Sequence, residues 1–455
     1  MKFVKHIARW IGSHSQKCSD LFISYDDPID PPMRLIYTSL LKMIIENKAN
    51  LHTCEFIMDK YNNQEFYCEI TLKLILQNSN FVQDIKNLKL SFNFREIETL
   101  LKFLNSNCKS ISRINFLCYD NNDNNNELLL QQMINSKQNL TKIIFEKNSF
   151  SAYNLLLLKN SNCSNTLKTV IFYKVNFKNM TFLNKVFEQL NVLEYIHILY
   201  CTSLNQFIQQ IIGIIKPFKL KSLFMGDYRD EDLLIESIQL LFQKSGKYLE
   251  YVKIGNYMNR ESKQKLLELI KYYCTKIKFF ELFYETDHYH KSYEHNNIEG
   301  IYLALDLIKN MKQSLSYLSI TSGGSKSSLI VLLNFGQILP SKLEYLHLEM
   351  RIDKISNLEL FIRNSKNTFI KKLMMNIDFL VKDILPCIKE YIMKEKRVKY
   401  LAIEGLQGYK MIAYLDSFIY KEQVASEIEL YNIKVRSIRD LYIEDYQVCE
   451  LISNE

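Results

Sequence analysis

A short alternating phrase of apolar and polar residues sets the pattern of this chain. In Lys342–Met350, KLEYLHLEM, the residues Leu343, Leu346 and Leu348 follow the order L-x-x-L-x-L. The last two leucines alternate at period 2, as the inward side of a β-strand does, and the first packs the bend that leads into the strand. The phrase therefore predicts one strand with a buried face and a face that a partner could contact.

The same phrase recurs along the sequence. Eleven of the fourteen intervals between its first apolar positions lie between 26 and 30 residues, which is the period of a leucine-rich repeat. The first apolar positions are Cys18, Leu51, Ile85, Ile111, Leu140, Leu167, Leu193, Leu220, Leu249, Ile277, Leu315, Leu343, Ile370, Val398 and Ile428.

Segments with helical periodicity separate the phrases, for example Arg95–Cys108, Asp232–Phe242 and Lys263–Tyr273. A strand, a helix and a parallel strand form a favourable crossover, and stacking such units gives one continuous body. We therefore predict an α/β leucine-rich-repeat solenoid, a horseshoe with parallel strands on its concave face and helices on its convex face. Residues 1–61 are predicted to be degenerate N-terminal repeats or a cap, 62–436 the array, and 437–455 a C-terminal capping helix or tail.

The residues between the leucines point away from the core, so they are the candidates for binding. The third position of the phrase is aromatic in most of the later repeats, and the second position alternates in charge. A row of aromatic rings flanked by charges is typical of a protein-binding groove, although stacked rings also stabilise a parallel ladder by themselves. The predicted partner-binding residues are Tyr195, Tyr251, Phe279, Tyr317, Tyr345, Tyr400, Glu194, Lys221, Glu250, Lys278, Glu344 and His347.

Two segments contain residue types suited to binding zinc or phosphate, but neither has the residue spacing that a known site of that kind requires. The segment Glu285–Asn297 contains His288, His290 and His295, whose types suit zinc, but it is polar and lacks helical spacing, so we interpret it as a solvated insertion. Ser322–Ser328, SGGSKSS, lacks the spaced second glycine of a phosphate-binding loop and is predicted to be a turn. We expect no catalytic residue, metal or cofactor, and no enzyme activity.

Composition and charge limit the cellular compartments and the classes of binding partner that we expect. The 58 basic and 50 acidic residues give a net charge of +8 and interleave without forming blocks, which argues against nucleic-acid binding. The ten cysteines have no metal-ligand spacing and are interpreted as small apolar residues in a reducing compartment. Lys5, His6 and Arg9 interrupt the N-terminal apolar residues, so we expect a cytoplasmic or nuclear protein that is not secreted and does not interact with membranes.

The repeats resemble those of the F-box/leucine-rich-repeat proteins, in particular the divergent fungal members. The resemblance runs from about Cys18 to Ile433 and is carried by recurrent phrases at Asn139–Phe145, Thr166–Phe172, Val192–Ile198, Tyr248–Ile254 and Lys342–Leu348. It implies a substrate-recognition part of an SCF-type E3 ubiquitin ligase, in which the repeats capture the protein to be degraded and an N-terminal F-box binds the Skp adaptor and, through it, the cullin.

The Leu-Pro pair that usually opens an F-box does not occur before the first repeats, where Lys2–Trp10 is predicted to be a repeat-like helix. Either the F-box segment is missing from the sequence, or this is a repeat-only member that does not dock on the adaptor. The resemblance therefore implies no adaptor-binding residue here. The alternative function is that of a free-standing scaffold or inhibitor without a ligase.

Overall fold

In this computed structural model the predicted α/β repeat architecture is confirmed. The structure describes residues 31–47, 52–56, 65–91, 97–117, 125–137, 139–146, 162–178, 180–216, 218–225, 235–255, 258–284, 298–322, 324–352, 354–379, 385–405, 430–436 and 441. Fourteen strands in this part of the chain form one sheet in sequence order, from β1 to β14. Every strand pair whose register is known is parallel.

The strands are β1 Thr53–Phe56, β2 Asn87–Ser91, β3 Arg113–Leu117, β4 Lys142–Glu146, β5 Thr169–Tyr173, β6 Tyr195–Leu199, β7 Lys219–Met225, β8 Tyr251–Ile254, β9 Phe279–Tyr284, β10 Tyr317–Ser322, β11 Lys342–Ile352, β12 Phe369–Phe379, β13 Val398–Gly405 and β14 Lys434–Val435. The α-helices are α1 Pro31–Glu46, α2 Glu65–Leu76, α3 Ile97–Asn107, α4 Asn125–Ser136, α5 Leu183–Gln189, α6 Leu204–Ile212, α7 Ile235–Ser245, α8 Arg260–Tyr273, α9 Ile298–Asn310, α10 Ser325–Ile338, α11 Ile355–Asn364 and α12 Leu385–Ile388. Short 3₁₀ or π turns occupy Ser79–Val82, Asn162–Asn165, Gly246–Tyr248 and Lys389–Met393.

The chain divides into two compact units. The first contains residues 1–195 and 213–217, and the second contains residues 196–212 and 218–455. Both repeat the same strand-and-helix scheme, with β1–β5 in the first unit and β7–β14 in the second. The predicted boundaries at residues 61 and 436 stay predictions.

The leucines of the phrase form the core between the sheet and the helices. Leu343, Leu346 and Leu348 of β11 are buried, as the alternation predicts. In the next repeat, Phe361 of α11 and Leu373 of β12 line the same small cavity, so the helices pack on the leucine side of the sheet. We call the opposite side the strand face.

Cations of one repeat bond the end of the preceding helix. The ammonium group of Lys137 donates to the carbonyl oxygens of Leu104 and Cys108, at 3.2 and 2.5 Å. Lys244 donates to the last two carbonyls of α6, at 3.1 and 2.8 Å. Because the final carbonyls of a helix lack intrahelical donors and carry partial negative charge, these lysines stabilise both the helix end and the stacking of adjacent repeats.

The turn predicted at Ser322–Ser328 is shorter than expected, because Ser325–Ser328 already belong to a helix. Strand β10 ends at Ser322, and α10 begins at Ser325 after Gly324. The buried Ser328 hydroxyl donates to the Ser322 carbonyl at 3.3 Å and accepts from the Arg351 backbone amide at 3.2 Å, so it joins two repeats.

One predicted strand register is wrong. The last phrase was expected to begin at Ile428 and to place Tyr431 and Ile433 in a strand. Residues 430–432 instead form a turn, and the strand is Lys434–Val435, with Lys434 opposite Tyr400. Asn432 has a φ of 62°, a left-handed conformation that a β-strand cannot contain. The Cys18 phrase and Ile428 itself lie outside the described residues.

Candidate protein-binding surface

The aromatic positions of the later repeats form one row on the strand face. Parallel register places Tyr251, Phe279, Tyr317 and Tyr345 directly beside one another on β8 to β11. Successive ring centroids are 6.4, 6.2 and 6.2 Å apart, with the ring planes tilted by 30 to 32°. Ring spacings of this size are favourable, so this row, which we call the aromatic row, stabilises the sheet whether or not a partner binds.

Polar residues occupy the position of the aromatic row on two strands. Ser222 lies opposite Tyr251, and Lys372 lies between Tyr345 and Tyr400. Tyr195 belongs to the first unit, where its backbone amide donates to the Lys168 carbonyl at 3.0 Å.

Exposure separates these aromatic residues into two groups. Tyr251, Phe279 and Tyr345 are buried, with 7, 6 and 3% of their surface exposed. Tyr317 and Tyr400 of the second unit are half-buried, and so is Tyr195 of the first unit. A partner can therefore contact the half-buried rings directly, whereas the buried rings support them.

The charged second positions bind one another. Glu250 lies between two lysines, with its carboxylate oxygens 3.5 Å from Lys221 Nζ and 2.8 Å from Lys278 Nζ. Glu344 accepts a 2.7 Å hydrogen bond from Lys371 Nζ, and this bond lowers the pKa of Glu344 and raises that of Lys371. The alternating signs seen in the sequence are thus ion pairs between neighbouring strands. Glu194 is half-buried, and its backbone amide donates to the Lys168 carbonyl at 2.9 Å.

His347 is buried on the strand face beside Ser319. The distance from His347 Nδ1 to Ser319 Oγ is 3.0 Å, and burial lowers the pKa of His347 to about 4. An equivalent pair joins His197 Nδ1 to Ser222 Oγ at 2.8 Å. His347 is therefore a neutral, hydrogen-bonded residue that positions its neighbours and carries no charge at neutral pH.

A second row on the strand face was predicted only at His347, and its charged members were missed by the sequence reasoning. It lies two residues beyond the aromatic row on each strand and contains a buried ion pair, in which Lys253 Nζ is 3.3 Å from Glu281 Oε1. Lys253 also lies over the rings of Tyr200 and Phe283, at 5.1 and 5.3 Å from their centroids. The signal was available, because Lys253 and Glu281 stand at the same position of their phrases, two residues after an aromatic one.

Leu441 is a further contact that the sequence reasoning missed. It is 4% exposed and packs against Tyr345, Met374 and Ala402, with Tyr317 and Tyr400 beside this cluster. It lies within the range 437–455 for which a cap or tail was predicted, and that prediction stays open.

Metal-ligating side chains do not form a cluster among the residues that the structure describes. That part of the chain contains no group of three or more His, Cys, Asp or Glu side chains placed to hold a metal ion. The segment with His288, His290 and His295 lies outside it.

Within the described ranges, five cysteines are buried free thiols: Cys54, Cys108, Cys163, Cys201 and Cys274. Burial raises the pKa of Cys108 to about 11 and that of Cys274 to about 12. Since the thiolate is the reactive form, these two side chains act as packing residues.

Comparison with known protein families and with curated proteins finds no match for this chain. Among the described helices, none is long and apolar enough to cross a membrane.

Proposed function

We propose that this protein is a non-catalytic interaction module that captures another protein on its strand face. The observation that carries the proposal is the aromatic row, in which half-buried Tyr317 packs between the buried rings of Phe279 and Tyr345. Half-buried Tyr400 lies on the same face, beyond Lys372. Rigid aromatic side chains supply a large contact area at a small entropic cost. The pre-ordered ladder lowers that cost further, because its supporting rings are already fixed.

The charged row supports the same proposal. Lys278 and Lys371 have 49 and 44% of their side chains exposed, and each is bound to a glutamate beside the aromatic row. Polar groups at the rim of an interface determine orientation and specificity more than affinity. A partner would therefore present an apolar centre to the tyrosines and acidic or hydrogen-bonding groups to the lysines.

The cellular role that we propose is substrate recognition for an SCF-type E3 ubiquitin ligase, in ubiquitin-dependent degradation. This finer role rests on the resemblance of the repeat phrases to F-box/leucine-rich-repeat proteins. It implies association with a Skp adaptor and a cullin if an F-box precedes the repeats. The alternative is a free-standing leucine-rich-repeat scaffold or inhibitor, which uses the same strand face without a ligase.

Affinity purification of the tagged full chain from cells, with quantitative mass spectrometry, tests both levels of the proposal. We expect Tyr317→Ser/Tyr400→Ser to lose specific partners. The matched control Tyr272→Ser/Tyr302→Ser removes two exposed tyrosines from helices and should still recover the same partners as wild type. Identical partners for wild type and both variants would contradict strand-face capture.

The same purification separates the two cellular roles. Recovery of the Skp adaptor and cullin with wild type and with Tyr317→Ser/Tyr400→Ser would support the ligase role, because the adaptor does not use the strand face. Specific partners without adaptor or cullin would favour the scaffold or inhibitor.

A further inference from the structure

The chain supplies an apolar side chain to its own proposed binding surface. Leu441 is buried in one apolar cluster with Tyr345, Met374 and Ala402, which belong to three neighbouring strands, β11, β12 and β13. Tyr317 of the aromatic row and Tyr400, both half-buried, pack against the same cluster. Leu441 therefore lies at the point where a partner would contact the row.

The register shows that this cluster belongs to the strand face. Ala402 lies opposite Met374, which lies opposite His347, two residues beyond Tyr345 on the same side of β11. The adjacent residues Leu346, Leu373 and Leu401 alternate to the other side and form the core under the helices. Leu441 thus packs outside the core shared by the sheet and the helices.

The connection to the last strand is short enough to hold Leu441 at this position. Strand β14 pairs with β13, and the Arg436 amide donates to the Leu401 carbonyl at 3.0 Å. Leu441 follows five residues later, a length that spans at most about 17 Å. Three strand spacings amount to about 14 Å. A tether of this length gives an effective concentration in the millimolar range.

The free energy of burying Leu441 is small enough for a partner to replace it. Burying one leucine side chain changes an equilibrium constant by roughly 10- to 100-fold, which a single well-placed side chain of a partner can match. The other three residues of the cluster are held by the sheet itself, because each lies on a strand paired on both sides. Their site therefore does not depend on Leu441 for its shape.

We propose that Leu441 is an intramolecular ligand of the strand face, which occupies the aliphatic site formed by Tyr345, Met374 and Ala402 and must leave before a partner inserts its own side chain there. This inference rests on the proposed function for the identity of the competitor. The site itself selects a leucine-sized aliphatic side chain, because a tyrosine ring, a methionine and an alanine line it.

The test uses a labelled peptide with the sequence of residues 437–446 and the full chain, without any partner. We expect Leu441→Ser to bind this peptide, since its site is vacated, and wild type to bind at least about tenfold more weakly, since the tethered leucine competes. The matched control is Leu430→Ser, which removes an 81% exposed leucine from the same part of the chain and should behave as wild type. A peptide with serine in place of Leu441 should not bind.

Two results would overturn the inference: equal peptide binding by all three chains, or no binding by a Leu441→Ser chain that melts at the wild-type temperature. If the serine variant does not fold, Leu441→Ala provides the same comparison with a smaller loss of packing. Once a partner is purified, Leu441→Ser should bind it at least about tenfold more tightly than wild type, and equal affinity would refute the competition. Because the peptide assay needs no partner, failure of the proposed function is distinguished from failure of the intramolecular contact.

Discussion

The ammonium group of Lys253 lies 3.3 Å from the carboxylate of Glu281, and both side chains are buried on the strand face. Lys253 is held further by the faces of two aromatic rings. A buried charge that loses its partner costs about 3–5 kcal/mol, whereas replacing both charges with apolar groups is often neutral. The pair therefore stabilises the second row only as a unit.

The first prediction concerns this pair. Lys253→Met should lower the free energy of unfolding by about 3 kcal/mol or more, because it leaves the Glu281 carboxylate buried without its cation. Chemical denaturation measures the change. Lys265→Met, which removes an exposed helical partner of Glu261, serves as the control and should produce no measurable loss. The double variant Lys253→Met/Glu281→Leu should recover most of the stability, and a double variant as unstable as the single one would contradict this account.

The second prediction concerns Lys137, which follows α4 and whose ammonium group bonds the end of α3. Replacing it with Met keeps an unbranched apolar stem of similar length but removes the donor to the carbonyls of Leu104 and Cys108. We expect a loss of about 1–3 kcal/mol in the free energy of unfolding, because the buried Cys108 carbonyl loses its donor, whereas the Leu104 carbonyl keeps its bond from the Cys108 amide. Lys102→Met, on the exposed side of the same helix, is the control. Equal melting curves for the two variants would show that the carbonyls find other donors.

The third prediction concerns the contact between α10 and α11 at Gly336. A Cβ atom at this position would lie 2.7 Å from the Phe361 carbonyl oxygen and 2.8 Å from Asn364 Cβ. Helix propensity alone favours alanine by about 1 kcal/mol, but overpacking costs about 1–3 kcal/mol. We expect Gly336→Ala to lower the melting temperature. Gly213→Ala has nothing within 4 Å of its Cβ and should not lower it. A stabilised Gly336→Ala would indicate that the helices separate easily.

The sequence predicted the strands and most helices because they depend on local periodicity. The helix expected at Lys263–Tyr273 is found at Arg260–Tyr273, and Leu343, Leu346 and Leu348 are buried as the phrase requires. The last strand was misplaced because Ile428, Tyr431 and Ile433 match the phrase, while the left-handed backbone at Asn432 ends any strand there.

The candidate site was predicted only in part, because its remaining contacts are non-local. The tyrosines could be aligned from their repeated position, and the same alignment places Lys253 beside Glu281, although they are 28 positions apart in sequence. Leu441 follows no repeat phrase, and Tyr345 of its cluster lies 96 residues earlier. That contact depends on how the chain returns to the sheet, which hydrophobic spacing does not encode.

The final prediction concerns pH. Burial lowers the pKa of His347 to about 4, whereas an unfolded histidine titrates near 6.5. Between these values the unfolded chain binds more protons than the folded chain, so the contribution of His347 to stability is complete above pH 6.5 and decreases as the pH falls towards 4. Between pH 7 and pH 5 the loss amounts to about 2 kcal/mol.

His347→Gln tests this assignment, because glutamine does not titrate and can still bond Ser319. We expect the variant to lose about 2 kcal/mol less stability than wild type between pH 7 and pH 5, measured by denaturant titration at both pH values. His52→Gln, which makes the same substitution at an exposed histidine, is the matched control. An unchanged pH dependence in His347→Gln would mean that the imidazole becomes protonated in the folded protein, and the strand face at Ser319 and His347 would then have to admit water.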